Sequence, residues 1–334
     1  MLLSSAEAYV FVGILSFIFI FGLVGNILVC LAIYCDKDLR QQHSNYFLFN
    51  LAVTDLLTVI FVIPFCTAAL VQGNWGFGDA LCQATAFVYY SLAIVGLESL
   101  AFISWDRFYA IIHPLKYRAN ITPKRICKAI AFCWVWAVIF TIPCAVLGWF
   151  RYGKYESMCT YNFTGTGDKW KTQVITYSIL TIVLCIMIPS AVILFCYLRI
   201  VSVVRHQGTR VHTITPRERT TANSTNSRRH AWRNYYRFKG FRTITLVIVL
   251  FILSWTPFSV TRLIKTVTWN HEIIPAVVDT FATVLSLFST AANPLAYSLF
   301  RKDFRRAFKR LLRQACCCYK LGRDQNEEVE NYPH

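Results

Sequence analysis

The chain has 334 residues, of which 56% are hydrophobic and 16% aromatic, and its mean hydropathy is +0.45. Several windows of more than about 18 residues carry almost no charge, which predicts membrane-spanning helices and excludes an ordinary soluble enzyme. The formal net charge of +17 does not indicate nucleic-acid binding, because the basic residues lie between the apolar segments and in the tail and form no basic domain.

The 13 cysteines lack the paired spacing of a zinc site. Most lie in apolar segments, where a free cysteine is ordinarily a small buried hydrophobic residue, so we expect no metal site built on them. Residues 1–8 are too short and too weakly charged for the start of a signal peptide, and the apolar run that follows is too long. The N-terminus is therefore expected to stay uncleaved.

Seven apolar segments predict an all-α membrane protein, a seven-transmembrane helix bundle with the termini on opposite sides. Residues 1–8 are expected to form an extracellular N-terminus and residues 9–300 the bundle. The segments are Tyr9–Tyr34, Asn45–Val71, Leu81–Ile112, Ile126–Phe150, Trp170–Ile200, Phe241–Val267 and Pro275–Phe300.

The third segment is the one around which we expect the others to be arranged. It carries Cys82 near its start and Asp106-Arg107-Phe108 near its end. A helix covers about 36 Å between Cys82 and Asp106, slightly more than a hydrocarbon core of about 30 Å. It therefore places a thiol just outside one face of the membrane and an ion pair just inside the other.

The lysine and arginine residues of the loops predict the orientation. They are concentrated in loops one, three and five and in the tail, whereas residues 72–80 have none and loops four and six have few. The N-terminus is therefore expected outside the plasma membrane and the C-terminus in the cytoplasm. On this topology the sequon at Asn162 is available for glycosylation, and those at Asn120 and Asn223 are not.

The fifth loop and the tail carry further signals. Residues 206–240 are rich in Thr, Arg, Ser and Asn, which predicts disorder. Residues 301–315 predict a short amphipathic helix on the inner leaflet, because basic residues surround one apolar stripe of Phe304, Phe308, Leu311 and Leu312. The cytoplasmic tail, residues 316–334, begins with a predicted palmitoylation site, for which a run of free thiols is the alternative, at Cys316, Cys317 and Cys318.

Ionisable residues inside membrane spans are costly and usually functional. Asp55 lies alone in the second segment, and Arg262 and Asp279 lie near the outer ends of the sixth and seventh. The alternatives to functional roles are a structural hydrogen bond for Asp55 and an ion pair between Arg262 and Asp279.

The segments carry motifs that, together and in this order, resemble the class A, rhodopsin-like G-protein-coupled receptors over about residues 10–318. The motifs are Gly25-Asn26, Leu51-Ala52-Val53-Thr54-Asp55, Cys82 with Asp106-Arg107-Phe108, Trp134, Pro189 with Tyr197, Phe251-Ile252-Leu253-Ser254-Trp255-Thr256-Pro257, and Asn293-Pro294-Leu295-Ala296-Tyr297 with Phe304 beyond. Phe108 stands where the family usually has Tyr, and Ser254 where it commonly has Cys.

The resemblance implies a disulfide between Cys82 and Cys159, and both cysteines lie on the oxidising side of the predicted topology. It also implies that Asp106 holds Arg107 at rest. On activation Arg107 is released, approaches two tyrosines of the fifth and seventh segments, and meets the C-terminal helix of a heterotrimeric G protein. The tyrosines are Tyr197 and Tyr297.

The other implied parts of the activation switch are Trp255 with Pro257, which let the sixth helix swing outward, and Asn293 with Pro294 in the seventh. Asp55 and Asn293 are implied to line a pocket for Na⁺ and water, so Na⁺ is the one cofactor considered.

Two departures affect these implied roles. Gly96 stands where the family often has a sodium-binding Ser, which weakens the sodium site. Arg237 stands where many members have an acid that pairs with Arg107. Because two cations cannot form that pair, we expect raised basal signalling.

The ligand is not fixed by these motifs. Tyr89 stands where amine receptors carry Asp, and Leu287 where opsins carry the Schiff-base Lys, so neither a biogenic amine nor covalent retinal is expected. Because the N-terminus is short, a small molecule or short peptide is expected. The implied pocket is lined by Tyr89, Tyr90, Ala93, Thr181, Trp255, Phe258, Arg262, Asp279 and Thr283.

The charges near the mouth of this pocket suit two ligand chemistries. Arg262 and Lys265 suit a carboxylate, and Asp279 suits an amine. Beyond the ligand and the G protein, arrestin, receptor kinases and membrane lipid are the expected partners, with phosphorylation sites in loop five at Thr220, Thr221, Ser224, Thr225 and Ser227.

A seven-helix transporter or channel is the alternative class, but the chain shows no internal repeat and few polar residues at the midplane. A membrane enzyme is not indicated, because all seven histidines lie in loops or tails and no nucleophile–base pair or metal-ligand motif lies in a span.

Overall fold

The structure, a computed structural model, describes residues 3–161, 168–212, 224–270 and 272–313, and their side chains except at 118–119, 168–169 and 204–244. Within these residues seven helices are long and apolar enough to cross a membrane. We call them spans 1 to 7: Ser5–Cys35, Asn45–Gln72, Gly78–Ile112, Pro123–Val146, Trp170–Val203, Thr245–Thr268 and Ala276–Phe300. The predicted seven-helix bundle is confirmed.

The spans and the segments between them comprise the following elements: α1 (Ser5–Cys35), α2 (Lys37–Gln41), α3 (Asn45–Phe61), α4 (Ile63–Gln72), α5 (Gly78–Ile112), α6 (Pro114–Asn120), α7 (Pro123–Val146), β1 (Phe150–Gly153), β2 (Met158–Tyr161), α8 (Asp168–Thr181), a π-helical segment (Ile182–Met187), α9 (Ile188–His212), α10 (Ser224–Thr268), α11 (Ala276–Phe300) and α12 (residues 302–313).

The span limits lie within four residues of the prediction, and two of the differences have clear local reasons. Span 1 begins at Ser5 rather than Tyr9, because the Ser4 hydroxyl accepts from the backbone N–H of Glu7 while the Glu7 carboxylate accepts from the backbone N–H of Ser4. Part of the predicted N-terminus is therefore helical. Span 4 ends at Val146 rather than Phe150, because Gly148 (φ 68°) turns the chain into a strand.

Span 3 lies at the centre of the bundle. It contacts spans 2, 4, 5 and 6 and both strands, so the arrangement predicted around this segment is present. The Cys82–Cys159 disulfide joins its first turn to β2, which confirms the predicted pairing. We call this end of the bundle the disulfide end and the opposite end, with Asp106 and Arg107, the arginine end.

The antiparallel strands β1 and β2 form a hairpin that was not predicted. Phe150 pairs with Tyr161 and Gly153 with Met158, and residues 154–157 make the turn. Every residue of β2 except Tyr161 is at most 1% exposed, so this strand lies inside the end of the bundle, whereas Arg151 of β1 is exposed.

The arginine end is closed by α12, which follows span 7. Phe304 is fully buried and lies 5.4 Å from the ring of Tyr297, while Arg310 pairs with Asp36 at 2.7 Å. The predicted helix after span 7 thus exists, with its first aromatic residue packed on the bundle.

Loop five is more helical than its composition predicts. The backbone is helical over 206–212 and 224–240, because α9 and α10 continue beyond the apolar spans. Residues 213–223, Asn162, the cysteines at 316–318 and the side chain of Arg237 lie outside the described residues, and so do the side chains of the predicted phosphorylation sites.

Candidate functional site

The Asp106–Arg107 pair at the arginine end is held from two sides. Nη2 of Arg107 lies 2.9 Å from Oδ2 of Asp106, and the hydroxyl of Tyr117 donates to Oδ1 of the same carboxylate at 2.8 Å. Tyr117 lies in α6 and is not among the predicted residues. The only sequence signal for it is Pro114, which begins that short helix.

The two tyrosines predicted to receive Arg107 lie in different surroundings. Tyr297 is 1% exposed, and its hydroxyl has no hydrogen-bond partner among the described residues. The Tyr297 hydroxyl can therefore gain a new partner without losing a hydrogen bond to a described residue. Tyr197 is half-buried in span 5 and interacts with Thr245 of span 6.

Asp55 and Asn293 meet in the middle of the bundle, where Nδ2 of Asn293 donates to Oδ2 of Asp55 at 2.8 Å. They line a cavity of about 20 Å³ together with Gly96, Ser289 and Trp255. This volume suffices for one water molecule or small ion, since a single water needs about 10–15 Å³. A carboxylate with neighbouring amide and hydroxyl oxygens is also a donor set that hard cations prefer.

Spans 1 and 7 approach closely beside this cavity. Nδ2 of Asn26 donates to the backbone carbonyls of Gly22 and Thr290, each at 2.8 Å. A Cβ at Gly25 would lie 2.6 Å from Cγ of Pro294, so only glycine allows this approach. The Gly25-Asn26 motif and Pro294 therefore fix the position of span 7.

Trp255 is held by aromatic contacts. Its ring stacks on Tyr89 at 5.4 Å and on Phe251 at 5.7 Å, and meets the edge of Phe258 at 5.8 Å. Its indole N–H has no hydrogen-bond partner among the described residues. Rotation of Trp255 next to Pro257 would therefore break no side-chain hydrogen bond.

The position of Tyr89 carries a hydroxyl pair where amine receptors have a carboxylate. The Tyr89 and Ser286 hydroxyls lie 2.6 Å apart, and both residues are buried. Of the remaining predicted pocket residues, Ala93 lines the cavity below Tyr89, and Thr283 is buried and donates to the backbone of Asp279. Thr181 is half-buried before the π-helical segment, and its hydroxyl is bonded to none of the predicted pocket residues.

The hairpin fills the predicted ligand pocket. Met158 is fully buried in one apolar cluster with Tyr89 and Phe258. Tyr90 stacks on Phe150 at 5.6 Å, and its hydroxyl lies 2.6 Å from that of Thr160. In this state strand β2 therefore lies among the predicted pocket residues, and a ligand site there stays a prediction.

Four charged side chains close the disulfide end. Glu156 of the hairpin turn and Asp279 of span 7 each pair with both Arg262 and Lys265 of span 6, and Nζ of Lys265 lies 2.8 Å from Oε1 of Glu156. Glu156, Lys265 and Asp279 are at most 4% exposed. The predicted alternative, a pair between Arg262 and Asp279, is present, so neither group faces an open mouth.

The electrostatics of this cluster keep Glu156 charged. Burial alone would raise the pKa of its carboxyl, but the positive charges of Arg262 and Lys265 outweigh burial, and the pKa lies below its ordinary value of 4.5. Glu156 is absent from the predicted site. Its position three residues before the disulfide Cys159 is the one signal in the sequence that could have indicated it.

Known proteins share this sequence pattern. The sequence profile of the family described as "7 transmembrane receptor (rhodopsin family)" matches residues 25–297. The chain is 29% identical over 322 residues to 5-hydroxytryptamine receptor 4 of Homo sapiens, covering 94% of this chain and 81% of that protein. It is 27% identical over 303 residues to the histamine H2 receptor of Canis lupus familiaris, covering 90% and 78% respectively.

The fold is also shared with a solved structure. The crystal structure of squid rhodopsin superposes with a TM-score of 0.80 at 22% sequence identity, covering 95% of this chain and 89% of that one. Because the family profile spans well over half of the sequence, we conclude that this protein belongs to the rhodopsin family of seven-transmembrane receptors, a family of receptors and not of enzymes.

Proposed function

We propose that the protein is a plasma-membrane receptor that binds an extracellular small molecule or short peptide and activates a heterotrimeric G protein by outward movement of span 6. The observation that carries this proposal is the buried Asp106 carboxylate that holds Arg107 at the arginine end. Such a pair is a releasable restraint, because the guanidinium side chain is still 25% exposed and can reach a partner docked at this end.

Two residues in the middle of the bundle allow span 6 to move. Trp255 can rotate without losing a side-chain hydrogen bond, and Pro257 removes a backbone hydrogen bond from the helix two residues later. Span 6 can therefore bend at this level. A ligand drives the change only by its difference in affinity for the resting and active states.

The orientation follows from the loop charges, with the disulfide end outside and the arginine end in the cytoplasm. A glycan on Asn162, palmitoylation at 316–318, contact of α12 with lipid, and arrestin recruitment through receptor-kinase sites in loop five belong to the same proposal. Na⁺ would be held at the small cavity by Asp55, with Asn293 and Ser289 as neutral oxygen donors.

We do not propose for this chain the ligands for which its relatives are named. Two relatives are named for 5-hydroxytryptamine and histamine. In this chain the Tyr89–Ser286 hydroxyl pair lacks a charge that could hold an ammonium group, and Asp279 and Glu156 are already paired with cations.

The test is guanine-nucleotide exchange on a set of purified heterotrimers, with the receptor reconstituted in lipid nanodiscs. Wild type should accelerate exchange on at least one heterotrimer, and Arg107→Ala should abolish the acceleration. Arg151→Ala is the matched control, because Arg151 is exposed at the opposite end and should leave the rate unchanged. Equal rates for wild type and Arg107→Ala on every heterotrimer would contradict the proposal.

A further inference from the structure

The four-charge cluster, Glu156, Arg262, Lys265 and Asp279, has three members on helices and one on a loop. Arg262 and Lys265 lie one turn apart on span 6, and Asp279 lies on span 7. Glu156 is contributed by the turn at residues 154–157. Because helices of a bundle move less readily than a loop tip, Glu156 is the member that can leave.

The turn is held in a costly conformation. Ser157 has φ 54°, a left-handed conformation that non-glycine residues rarely adopt. A Cβ on Gly153 would overlap the Glu156 carboxylate, so the carboxylate folds tightly over the strand. Besides the ion pairs, Thr280 of span 7 donates to the carbonyl of Tyr155 at 2.9 Å, and Nζ of Lys265 lies 5.5 Å from the centre of the Tyr155 ring. The backbone conformation of Ser157 opposes these contacts, which keep the turn docked.

Departure of Glu156 alone would leave the buried Lys265 and the partly buried Arg262 facing one carboxylate. Because a buried charge without a partner is strongly destabilising, the vacated position favours an anion. A neutral ligand would leave the extra charge uncompensated, and an ammonium would add to it. A carboxylate would restore the original charge and could accept from the Arg262 guanidinium in the place of Glu156.

The space beside the position that Glu156 would vacate is apolar. Met158, two residues after Glu156, fills the space beside Tyr89 and Phe258. If the turn moves outward, Met158 is drawn away from these rings, while the Cys82–Cys159 disulfide keeps the following residue anchored. The space that opens suits an aromatic or aliphatic group attached to the carboxylate.

We propose that the Glu156 carboxylate occupies the position that the charged group of the ligand takes when it binds. The ligand is an organic carboxylate with an apolar or aromatic body, and it displaces Glu156 from Arg262 and Lys265. This inference rests on the proposed receptor function and names its ligand class.

The test uses phenylacetate and cyclohexylacetate as probes, with phenylacetamide and phenethylamine as neutral and cationic controls. The full chain is purified in nanodiscs without reductant, and its thermal midpoint is followed by tryptophan fluorescence. Glu156→Ala should lower the midpoint, and the carboxylates should restore it while the amide and the amine do not. The carboxylates should bind Glu156→Ala more tightly than wild type by about tenfold or more, because an internal competitor for charge-assisted hydrogen bonds has been removed.

A second measurement avoids dependence on the folding of the variant. In wild type, phenylacetate should increase hydrogen–deuterium exchange at residues 154–157, because the turn moves to solvent, and phenylacetamide should not. Equal effects of acid and amide in both measurements, or no effect of either acid, would overturn the inference.

Nucleotide exchange in the same samples separates the two proposals. Carboxylate binding without any Arg107-dependent nucleotide exchange would refute the receptor mechanism and leave the proposed carboxylate site intact. Arg107-dependent exchange without carboxylate binding would refute only the ligand class.

Discussion

The hydroxyl of Tyr117 donates to Oδ1 of Asp106 at 2.8 Å, on the carboxylate whose other oxygen pairs with Arg107. Tyr117 lies in the short helix α6 beyond the end of span 3, so a loop residue helps to set the restraint inside the bundle. Changes in this loop are therefore expected to alter the resting state without touching the ion pair itself.

Tyr117→Phe should raise basal nucleotide exchange. The substitution removes one hydrogen bond to a charged group, and half-exposed bonds of this kind contribute on the order of 1 kcal/mol, or about fivefold in a two-state equilibrium. Tyr109→Phe is the matched control, because Tyr109 bonds Asn120 and not Asp106. A rise of equal size in both variants would show that the effect is not transmitted through Asp106.

The sodium response should depend on position 96. A Cβ at Gly96 would lie 3.6 Å from Phe251 and 3.9 Å from Leu51, which are ordinary contacts, so a small side chain fits. Gly96→Ser adds an oxygen to the cavity that Asp55 lines and should increase the stabilisation by NaCl over choline chloride, measured as a thermal midpoint.

Two further variants check this sodium prediction. Gly96→Ala fills the same space without an oxygen and should respond like wild type. Asp55→Asn removes the charge and should abolish the response. An equal sodium response in all four proteins would mean that the ion does not bind at this cavity.

The sequence predicted the parts of this protein that depend on local patterns. Apolar segments of sufficient length determine the spans, and the motif residues Asp55 and Asn293 meet as the resemblance implies. The disulfide from Cys82 was predicted in the same way. The spans and the contact between Asp55 and Asn293 belong to helices whose positions are set by membrane crossing, and the partner of Cys82, Cys159 of strand β2, was implied by the family resemblance alone.

The disulfide end could not be predicted in the same way. Glu156 lies 106 residues from Arg262 along the chain, and no periodicity links a loop acid to a helix cation. The same holds for the insertion of Met158 into the aromatic pocket, which depends on the strand register and on the anchoring of Cys159. The sequence analysis therefore named helix residues for the pocket and missed the strand that lies among them.

Basal signalling should depend on Arg237, which stands where a partner acid for Arg107 is common in the family. Arg237→Glu should lower ligand-free second-messenger output, because a carboxylate there can add a second restraint on Arg107. Arg233→Glu is the control, since it makes the same charge change one helical turn earlier. The comparison is cAMP, calcium and Rho output at matched surface expression. Wild-type output equal to that of empty-vector cells would remove the expectation of raised basal activity.

Acid should release the hairpin. Because the pKa of Glu156 lies below its ordinary value of 4.5 in the folded protein, its ionised form stabilises the fold fully above that value. This contribution is lost as the pH falls from 4.5 through the lower folded pKa. The titratable and charged groups around Glu156 are Arg262 and Lys265 of span 6, Asp279 of span 7, Tyr90 of span 3, Tyr152 of β1 and Tyr155 of the turn.

The measurement for this last prediction is the thermal midpoint of wild type and Glu156→Gln across this pH range. Gln cannot ionise, so the wild type should be the more stable protein near neutral pH, and the difference should shrink towards zero as the pH falls below 4.5. A difference that is independent of pH would mean that the Glu156 carboxylate stabilises the hairpin by its shape and not by its charge.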